Sequence, residues 1–477
     1  MKVTTPAQVG VTTLILTLSD KTNDREVSAS IALASTAANL GDLVVSFDRQ
    51  SYEITAGGEP VEIGFTIGNR QNAIIEPPVE SDVATRLTVN SVTYDPTTGK
   101  GKIVVAALES VPAGNVNLTL SVSDNYLRES SGILALTVLS DVPVSDNCYI
   151  VKPGESVAFS SRLKTITEVE VSWQDAPQVI STVSLANSTV TVTASNTAGN
   201  ALVIGKGADG MVLWSWHIWV TDFDPEATAV TVDGVTFMDR NLGAISATPG
   251  DVGSIGQAYQ WGRKDPMPRI ARLDASANKG YFDIYDANGT AYVEDSGDET
   301  YFRILNASSM DTAISKPDHY IKAGSNRAWW IDSGDDWKDW WGGVTGVKSM
   351  YDPCPRGWKV PVLKKDPAGN ETNPYAFMLT DGAVYDAVNL GVTYTDSQNQ
   401  KLWFPCNGQR SRSKGWIHNP KSDGNYWIGT DMANPGEYEM CEYLYFSANG
   451  IALSGKVASG DRDVFAVLGC AVRCIKE

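Results

Sequence analysis

The sequence predicts a mainly β protein organised as consecutive sandwich modules, and three observations lead there. Segments 43–47, 61–67, 87–94, 102–107, 116–122 and 133–138 are short, rich in β-branched residues, apolar or alternating, and separated by turn residues. Helical periodicity is poor throughout; the best stretch, 375–380, is too short to stand as a helix without other support. An internal repeat links GVTTLILTLSDKTNDRE at 10–26 with GNVNLTLSVSDNYLRE at 114–129, each followed by a run of small and apolar residues.

Taken in order, residues 1–39 fit the last strands of one sandwich whose beginning lies upstream, and 40–140 fit the next complete copy. DPTTG at 95–99 is a tight turn between two of its strands. The strand spacing gives an antiparallel sandwich of immunoglobulin-like size, without the Cys…Trp…Cys spacing of true immunoglobulin domains. Strings of such modules act as stalks, because each needs only its neighbours. Residues 141–224 form a third β-rich module, with the alternating STVTVT at 188–193 and a closing strand, WSWHIWVT at 214–221, whose rings fall on both faces. That pattern suits a buried strand better than an open aromatic face, since Trp buries a large area wherever a core is available. DFDP at 222–225 starts a linker, and from 225 to 477 Trp, Gly, Asn and Cys become frequent. Near the end, YLYF, SANG and IAL at 443–453 predict a hairpin with Asn449-Gly450 in a type I′ turn.

Composition excludes several classes. A chain of 477 residues has room for roughly three domains at ~150 residues each. Its net charge of −18 argues against general nucleic-acid binding and against docking on an anionic membrane. The longest apolar runs, 11–18 and 211–220, fall far short of the ~20 residues of a membrane helix. Three histidines, 217, 319 and 418, are far apart, and no phosphate-binding loop, dinucleotide fingerprint or nucleophile elbow occurs. The amino-terminal stretch lacks the pattern of a secretory signal, so 1–39 is read as starting inside a larger protein.

The carboxy-terminal half resembles a known family. VTFMDRNLG at 235–243, YQWGR at 259–263, YDPCPRGWKVP at 351–361, GNYWIGT at 424–430 and AVRCIKE at 471–477 are similar, in this order, to the Fibrobacter-type major paralogous domain of Bacteroidetes surface proteins. NCYIVKPG at 147–154 is similar to segments that precede this domain. The resemblance implies an α+β C-type-lectin-like fold, related in shape to the sulfatase-modifying enzymes. It also implies exposure at the cell surface or outer membrane, at the tip or stalk of a fimbria. One departure is VLKKDPAGN at 362–370, which stands where such domains continue directly into a helix. The resemblance also implies a disulfide between Cys354 and Cys474. Strand geometry by itself leaves Cys470 as an equal partner for Cys354, and the terminal Val-Arg-Cys likeness favours Cys474. Such a bridge would close a loop of about 120 residues, worth on the order of 4–5 kcal/mol in the chain-entropy model. The pairing of Cys148, Cys406, Cys441 and Cys470 stays open.

The densest aromatic and acidic stretch is 329–341, with Trp329, Trp330, Asp332, Asp335, Asp336, Trp337, Trp340 and Trp341. Indole faces stack on sugar rings and carboxylates accept hydrogen bonds from sugar hydroxyls, so these eight residues are the candidate ligand contacts. Two alternatives accompany this reading: the rings pack an irregular loop, or the aspartates share a Ca²⁺, although no EF-hand spacing is present. The acidic run at 283–298 also fails that spacing and is better read as a hairpin turn at 286–289. The expected function is a cell-surface adhesin or fimbrial component that presents a lectin-like domain on β-sandwich spacers to a glycan, a surface protein or other fimbrial subunits. The alternatives are a structural pilus subunit and, remotely, a cysteine-dependent enzyme; no catalytic residue, cofactor or nucleic-acid partner is assigned.

Overall fold

A computed structural model describes residues 10–20, 22–23, 25–35, 41–70, 79–81, 87–107, 114–124, 128–139, 146–274, 276–293, 303–325, 328–331, 336–343, 345–365, 371–431, 441–453, 456–457, 460–461 and 465–477. The chain forms two compact units, Met1–Pro143 and Val144–Glu477. None of the described helices is long and apolar enough to cross a membrane.

In the first unit the repeated sequence folds as the same hairpin twice. Gly10–Asp20 pairs antiparallel with Arg25–Ser35, and Gly114–Ser123 pairs antiparallel with Glu129–Leu139. Asp20 stands opposite Arg25 at the turn end of the first. At the matching end of the second, the Asp124 carboxylate accepts from the Arg128 backbone N–H at 2.9 Å and from its Nε at 2.8 Å. The second hairpin belongs to a sandwich. One sheet runs Ser51–Thr55, Glu129–Leu139, Gly114–Ser123, Val79–Ser81; the other runs Val44–Phe47, Val61–Gly68, Lys100–Ala107, Leu87–Asp95. Ser51–Thr55 lies parallel to Glu129–Leu139, so the sandwich is not wholly antiparallel as expected.

Alternation decides which side chains enter this core. Ile63, Phe65 and Ile67 are buried on one strand, Ile103, Val105 and Ala107 on its neighbour, and Leu118, Leu120, Leu134 and Leu136 on the facing sheet. Each large aliphatic side chain so buried contributes roughly 1.5–3 kcal/mol. At the 95–99 turn, Asp95 accepts from the Thr97 N–H at 2.8 Å and from the Thr98 hydroxyl at 2.7 Å. Gly99 takes φ +75°, which a larger residue would resist.

The second unit, Val144–Glu477, contains a sheet with strands from both sides of the boundary expected at 224/225. Its first sheet runs Cys148–Val151, Val212–Val220, Gly199–Lys206, Glu168–Gln174 and then continues into Ile284–Tyr285 and Ala291–Val293. The junction is Gln174 opposite Tyr285. The Gln174 side chain secures it, donating to the Asp286 carbonyl at 2.7 Å and accepting from the Ile180 N–H at 2.8 Å. A second sheet, Ser156–Ser160, Thr189–Ala194 and Ile180–Ala186, covers one face. Val212–Val220 is the buried strand that its rings suggest: Trp214 and Trp216 pack with Phe159 and Val190, while Trp219 packs with Phe223, Met238 and Leu242.

Beyond residue 224 the described helices are brief. Pro225–Thr228, capped by Asp224, replaces the expected linker, and Met310–Ser315 is capped by Ser309. The stretch 375–380 holds a single 3₁₀ turn, Ala376–Leu379. Where a helix would follow 351–361 in the resembled family, Lys364–Lys365 pairs instead with Glu371–Thr372. Ile284–Tyr285 and Ala291–Val293 enclose the 286–289 turn, where Asp286 accepts the N–H groups of Asn288 and Thr290, each at 2.8 Å. The Cys441–Ser447 and Gly450–Leu453 hairpin forms, but Ser447 stands opposite Gly450, so Ala448 and Asn449 make the turn. The expected Asn449-Gly450 centre is one residue late, and Gly450 opens the returning strand at φ +137°.

Candidate functional site

The five family-like segments meet at the end of the chain. Ile475–Lys476 lies between Val235–Phe237 and Trp358–Lys359, and Gly469–Ala471 lies beside Ala258–Gln260 and Tyr426. Buried Arg473 ties them together: Nε donates to Asn241 at 2.9 Å and Nη2 to the Trp403 carbonyl at 2.7 Å. Asn241 donates in turn to the Ile255 carbonyl at 2.9 Å. These residues hold backbone that is not satisfied by regular ladders, and that need explains their types.

Cys354 and Cys474 form a disulfide with Cα atoms 6.1 Å apart, the pair implied by the family resemblance. The loop carrying Cys354 is fixed before it reaches the bridge. Asp352 accepts from the N–H groups of Cys354 and Val360, both at 2.8 Å. Lys348 donates to Asp352 at 2.9 Å and to the carbonyls of Cys354 and Trp358, both at 2.7 Å. Cys470 stands opposite Tyr259 in a sheet and remains a thiol, as do Cys148, Cys406 and Cys441, all buried. Burial pushes the Cys406 thiol up to about 12 and raises those of Cys148 and Cys470. A nucleophilic cysteine needs the opposite, an accessible thiolate.

The five expected indole contacts are core residues. Trp329, Trp330, Trp337, Trp340 and Trp341 are between 0% and 8% exposed and close around Trp261. Trp330 lies 5.0 Å from Trp337 and 5.1 Å from Trp340 between ring centroids; Trp329 lies 5.1 Å from Trp340, and Trp261 lies 5.6 Å from Trp341. Trp329 donates its N–H to the Trp261 carbonyl at 2.8 Å, and Trp341 to the Tyr351 carbonyl at 3.2 Å. Gly262, at φ +80°, permits the contact, since a Cβ there would stand 2.6 Å from the Trp340 ring. The ring faces are engaged by other rings, so they offer no open platform for a sugar. The reason is local: the described parts of 303–350 contain little regular structure, and large rings cover a backbone that strands do not.

Asp332 and Asp335 lie outside the described residues. Asp336 begins the 3₁₀ turn Asp336–Asp339, and its side chain lies outside the description. Asp339 accepts from the Thr345 N–H at 3.2 Å. Among the described residues no cluster of three or more His, Cys, Asp or Glu side chains suits a metal ion.

Two buried polar clusters were not foreseen from the sequence. Tyr259, His217, Asn200 and Asp175 form a chain, with Tyr259 hydroxyl to His217 Nδ1 at 3.1 Å, His217 Nε2 to Asn200 at 2.8 Å and Asn200 to Asp175 at 2.8 Å. Burial lowers the His217 imidazole to about 3, so it is neutral. Lys264 donates to Asp265 at 2.6 Å and to the Ser215 hydroxyl, while Ser215 donates to Asp265 at 2.6 Å. All three are sealed from solvent, which makes them a fastening between strand Val212–Val220 and the following domain. A shallow cleft, with little enclosed volume, is lined by Gln257, Arg269, Asn407, Arg410, Ile270 and Ile417.

One aromatic residue stands apart. Thirteen of the fourteen tryptophans are buried, and Trp416 is only half-buried. Its neighbours Arg412 and Lys414, both exposed, are the sequence signal that could have marked it.

No family model and no curated protein matches the sequence. Several solved structures are similar in part. The N-terminal Ig1-2 module of Drosophila receptor protein tyrosine phosphatase DLAR matches over 38% of this chain and 99% of its own, at 11% identity and a TM-score of 0.15. The EC1-3 segment of mouse clustered PcdhgC3 matches over 44% and 76%, at 16% identity and 0.16. Titin-A168169 matches over 37% and 99%, at 14% identity and 0.17. At scores of this size the likeness does not bear on what this chain binds.

Proposed function

We propose that this protein is a cell-surface adhesin, exported and associated with the outer membrane, in which the sandwich of the first unit is a spacer and Val144–Glu477 carries a lectin-like binding domain. The observation that supports it best is the meeting of the five family-like segments around the terminal strand, closed by the Cys354–Cys474 bridge. A disulfide suits an oxidising, extracellular setting. The proposed partner is a glycan or surface protein. The test is a glycan array probed with the whole chain, together with adhesion of chain-coated beads to host and bacterial cells. Saturable binding to defined glycans, blocked by the free sugar, is the expected result. Adhesion without any glycan binding points to a protein partner. A silent array and inert beads favour the second reading, a structural surface or pilus subunit, for which the enclosed Trp329–Trp341 rings speak.

A further inference from the structure

We infer that Asn449 is a self-modification site: in the folded protein, together with Gly450, it converts to aspartate and isoaspartate, ahead of every other Asn-Gly pair in the chain. This chemistry is independent of what the chain binds. The sequence contains three such pairs, at 288–289, 407–408 and 449–450. The reaction starts when the glycine amide gives up its proton and its nitrogen attacks the asparagine Cγ. A nitrogen–Cγ bond forms, the Cγ–Nδ2 bond breaks and ammonia leaves, which closes a five-membered succinimide. Water then opens the ring at one of its two carbonyls, giving aspartate or isoaspartate. Water is the sole co-reactant, and nothing is oxidised or reduced. Glycine favours the attack because it has no Cβ to hinder it and moves freely. All three pairs share that advantage, so the fold sets their order.

The 407–408 pair is locked. Asn407 is buried; its Nδ2 donates to the Asn425 carbonyl at 2.7 Å, and its Oδ1 accepts from the Asn425 N–H at 2.7 Å. The N–H groups of Asn407 and Gly408 both donate to the Asp423 carbonyl, at 3.0 and 2.8 Å. Swinging the amide toward the Gly408 nitrogen would break both side-chain bonds, and deprotonating that nitrogen would break another. Each leaves a buried polar group unsatisfied.

The other two pairs occupy hairpin tips of one design. Asp286-Ala287-Asn288-Gly289 and Ser447-Ala448-Asn449-Gly450 each join two short strands, and the first side chain of each accepts from the asparagine N–H, at 2.8 Å from Asp286 and 3.2 Å from Ser447. Asn288 and Asn449 are exposed. Among the described residues their side-chain amides have no hydrogen-bond partner. Two differences favour Asn449. The Asp286 carboxylate accepts from the N–H groups on either side of Gly289, so its charge opposes the loss of the Gly289 proton, whereas Ser447 is neutral. The Gly289 N–H also donates to the Asp286 carbonyl at 3.0 Å. Space differs as well: a Cβ on Gly289 would stand 3.0 Å from the Gln178 side chain, and one on Gly450 would meet nothing within 4 Å. The order of conversion is therefore Asn449, then Asn288, then Asn407.

The test is incubation of the whole folded chain in mildly alkaline buffer made with heavy-oxygen water, followed by peptide mapping in the mass spectrometer and by an isoaspartyl methyltransferase assay. Heavy oxygen should enter first at Asn449, as a mixture of aspartate and isoaspartate, about tenfold or more faster than at Asn407, with Asn288 between them. In the chain unfolded by denaturant the three rates should converge. Asp286→Ser, which turns the first tip into a copy of the second, should speed conversion at Asn288 several-fold and leave Asn449 unchanged. If Asp286→Ser lowers the melting temperature, Asp286→Asn, which keeps the acceptor and removes the charge, decides by the same assay. Conversion at Asn407 as fast as at Asn449 would overturn the inference. So would an intact Asn449 under conditions that convert the unfolded chain, or an order of rates that unfolding does not erase. An Asn288 rate that neither Asp286 variant moves would overturn the charge-based order of the two tips.

Discussion

Between residues 44 and 139 the core is aliphatic: Ile63, Ile103, Val105, Leu118, Leu120, Leu134 and Leu136 fill it, with Tyr52 and Phe65. Residues 1–143 contain no Trp, Cys or His. Between 238 and 474 the largest core cluster holds Trp261, Trp329, Trp330, Trp337, Trp340, Trp341, Trp358 and Trp427 and a disulfide. Both regions are built of strands, so strand content does not explain the contrast. Length does. The sandwich strands of the first unit run to eleven residues, and a ladder of that length satisfies its own backbone while alternation delivers small side chains to one face. Many strands of the second region have two or three residues. There, side-chain hydrogen bonds, wide rings and a cross-link perform what the ladder performs elsewhere.

If that contrast is right, the largest effect should come from the bridge. Cys354→Ser with Cys474→Ser should destabilise the second unit by on the order of 4–5 kcal/mol and leave the unfolding of the first unit in place, as two transitions in calorimetry with and without reductant would show. A single transition that moves as a whole would break the comparison.

Truncating the ring cluster comes next. Trp330→Ala should cost about 3–5 kcal/mol in the second unit, and Leu120→Ala about 2–5 kcal/mol in the first, each measured by denaturant unfolding. The sharper expectation is locality: each substitution should shift only its own unit's transition.

Acid should separate the units further. Burial lowers His217 to about 3, against an ordinary value near 6.5. It binds a proton less readily folded than unfolded. Its contribution is whole above pH about 6.5 and is lost as pH falls toward about 3, a few kcal/mol at most. The first unit, having no histidine, should lack this loss. Melting temperatures followed from pH 7 to 4 check it, and His217→Gln should flatten the decline of the second unit.

The smallest effect should come from an exposed pair in the sandwich. Lys102 and Glu62 lie 2.7 Å apart with more than half of each side chain in solvent. Glu62→Gln should change stability by under about 1 kcal/mol, and less in high salt.

Much of the first unit was legible because its strands obey a two-residue period that local sequence displays. Segments 61–67, 87–94 and 102–107 fall within Val61–Gly68, Leu87–Asp95 and Lys100–Ala107. The repeat at 10–26 and 114–129 marks two hairpins of matching register. Ser51–Thr55 was missed because it buries only Tyr52 and Ile54 between polar residues, and its partner, Glu129–Leu139, is far along the chain.

The chain by itself thus determines the β class, the long strands with their inward faces, and the motif residues that pin the terminal strand, because these depend on neighbours a few positions apart or on a family likeness. Tertiary structure decides the rest. It alone joins Gln174 to Tyr285 and so merges the third module with the domain after it. It alone distinguishes one tryptophan from another: density in sequence marks 329–341, yet those rings meet each other and close, while isolated Trp416 is only half-buried. Exposure is a property of what the rest of the chain places over a residue, and a single indole in the sequence carries no sign of its cover.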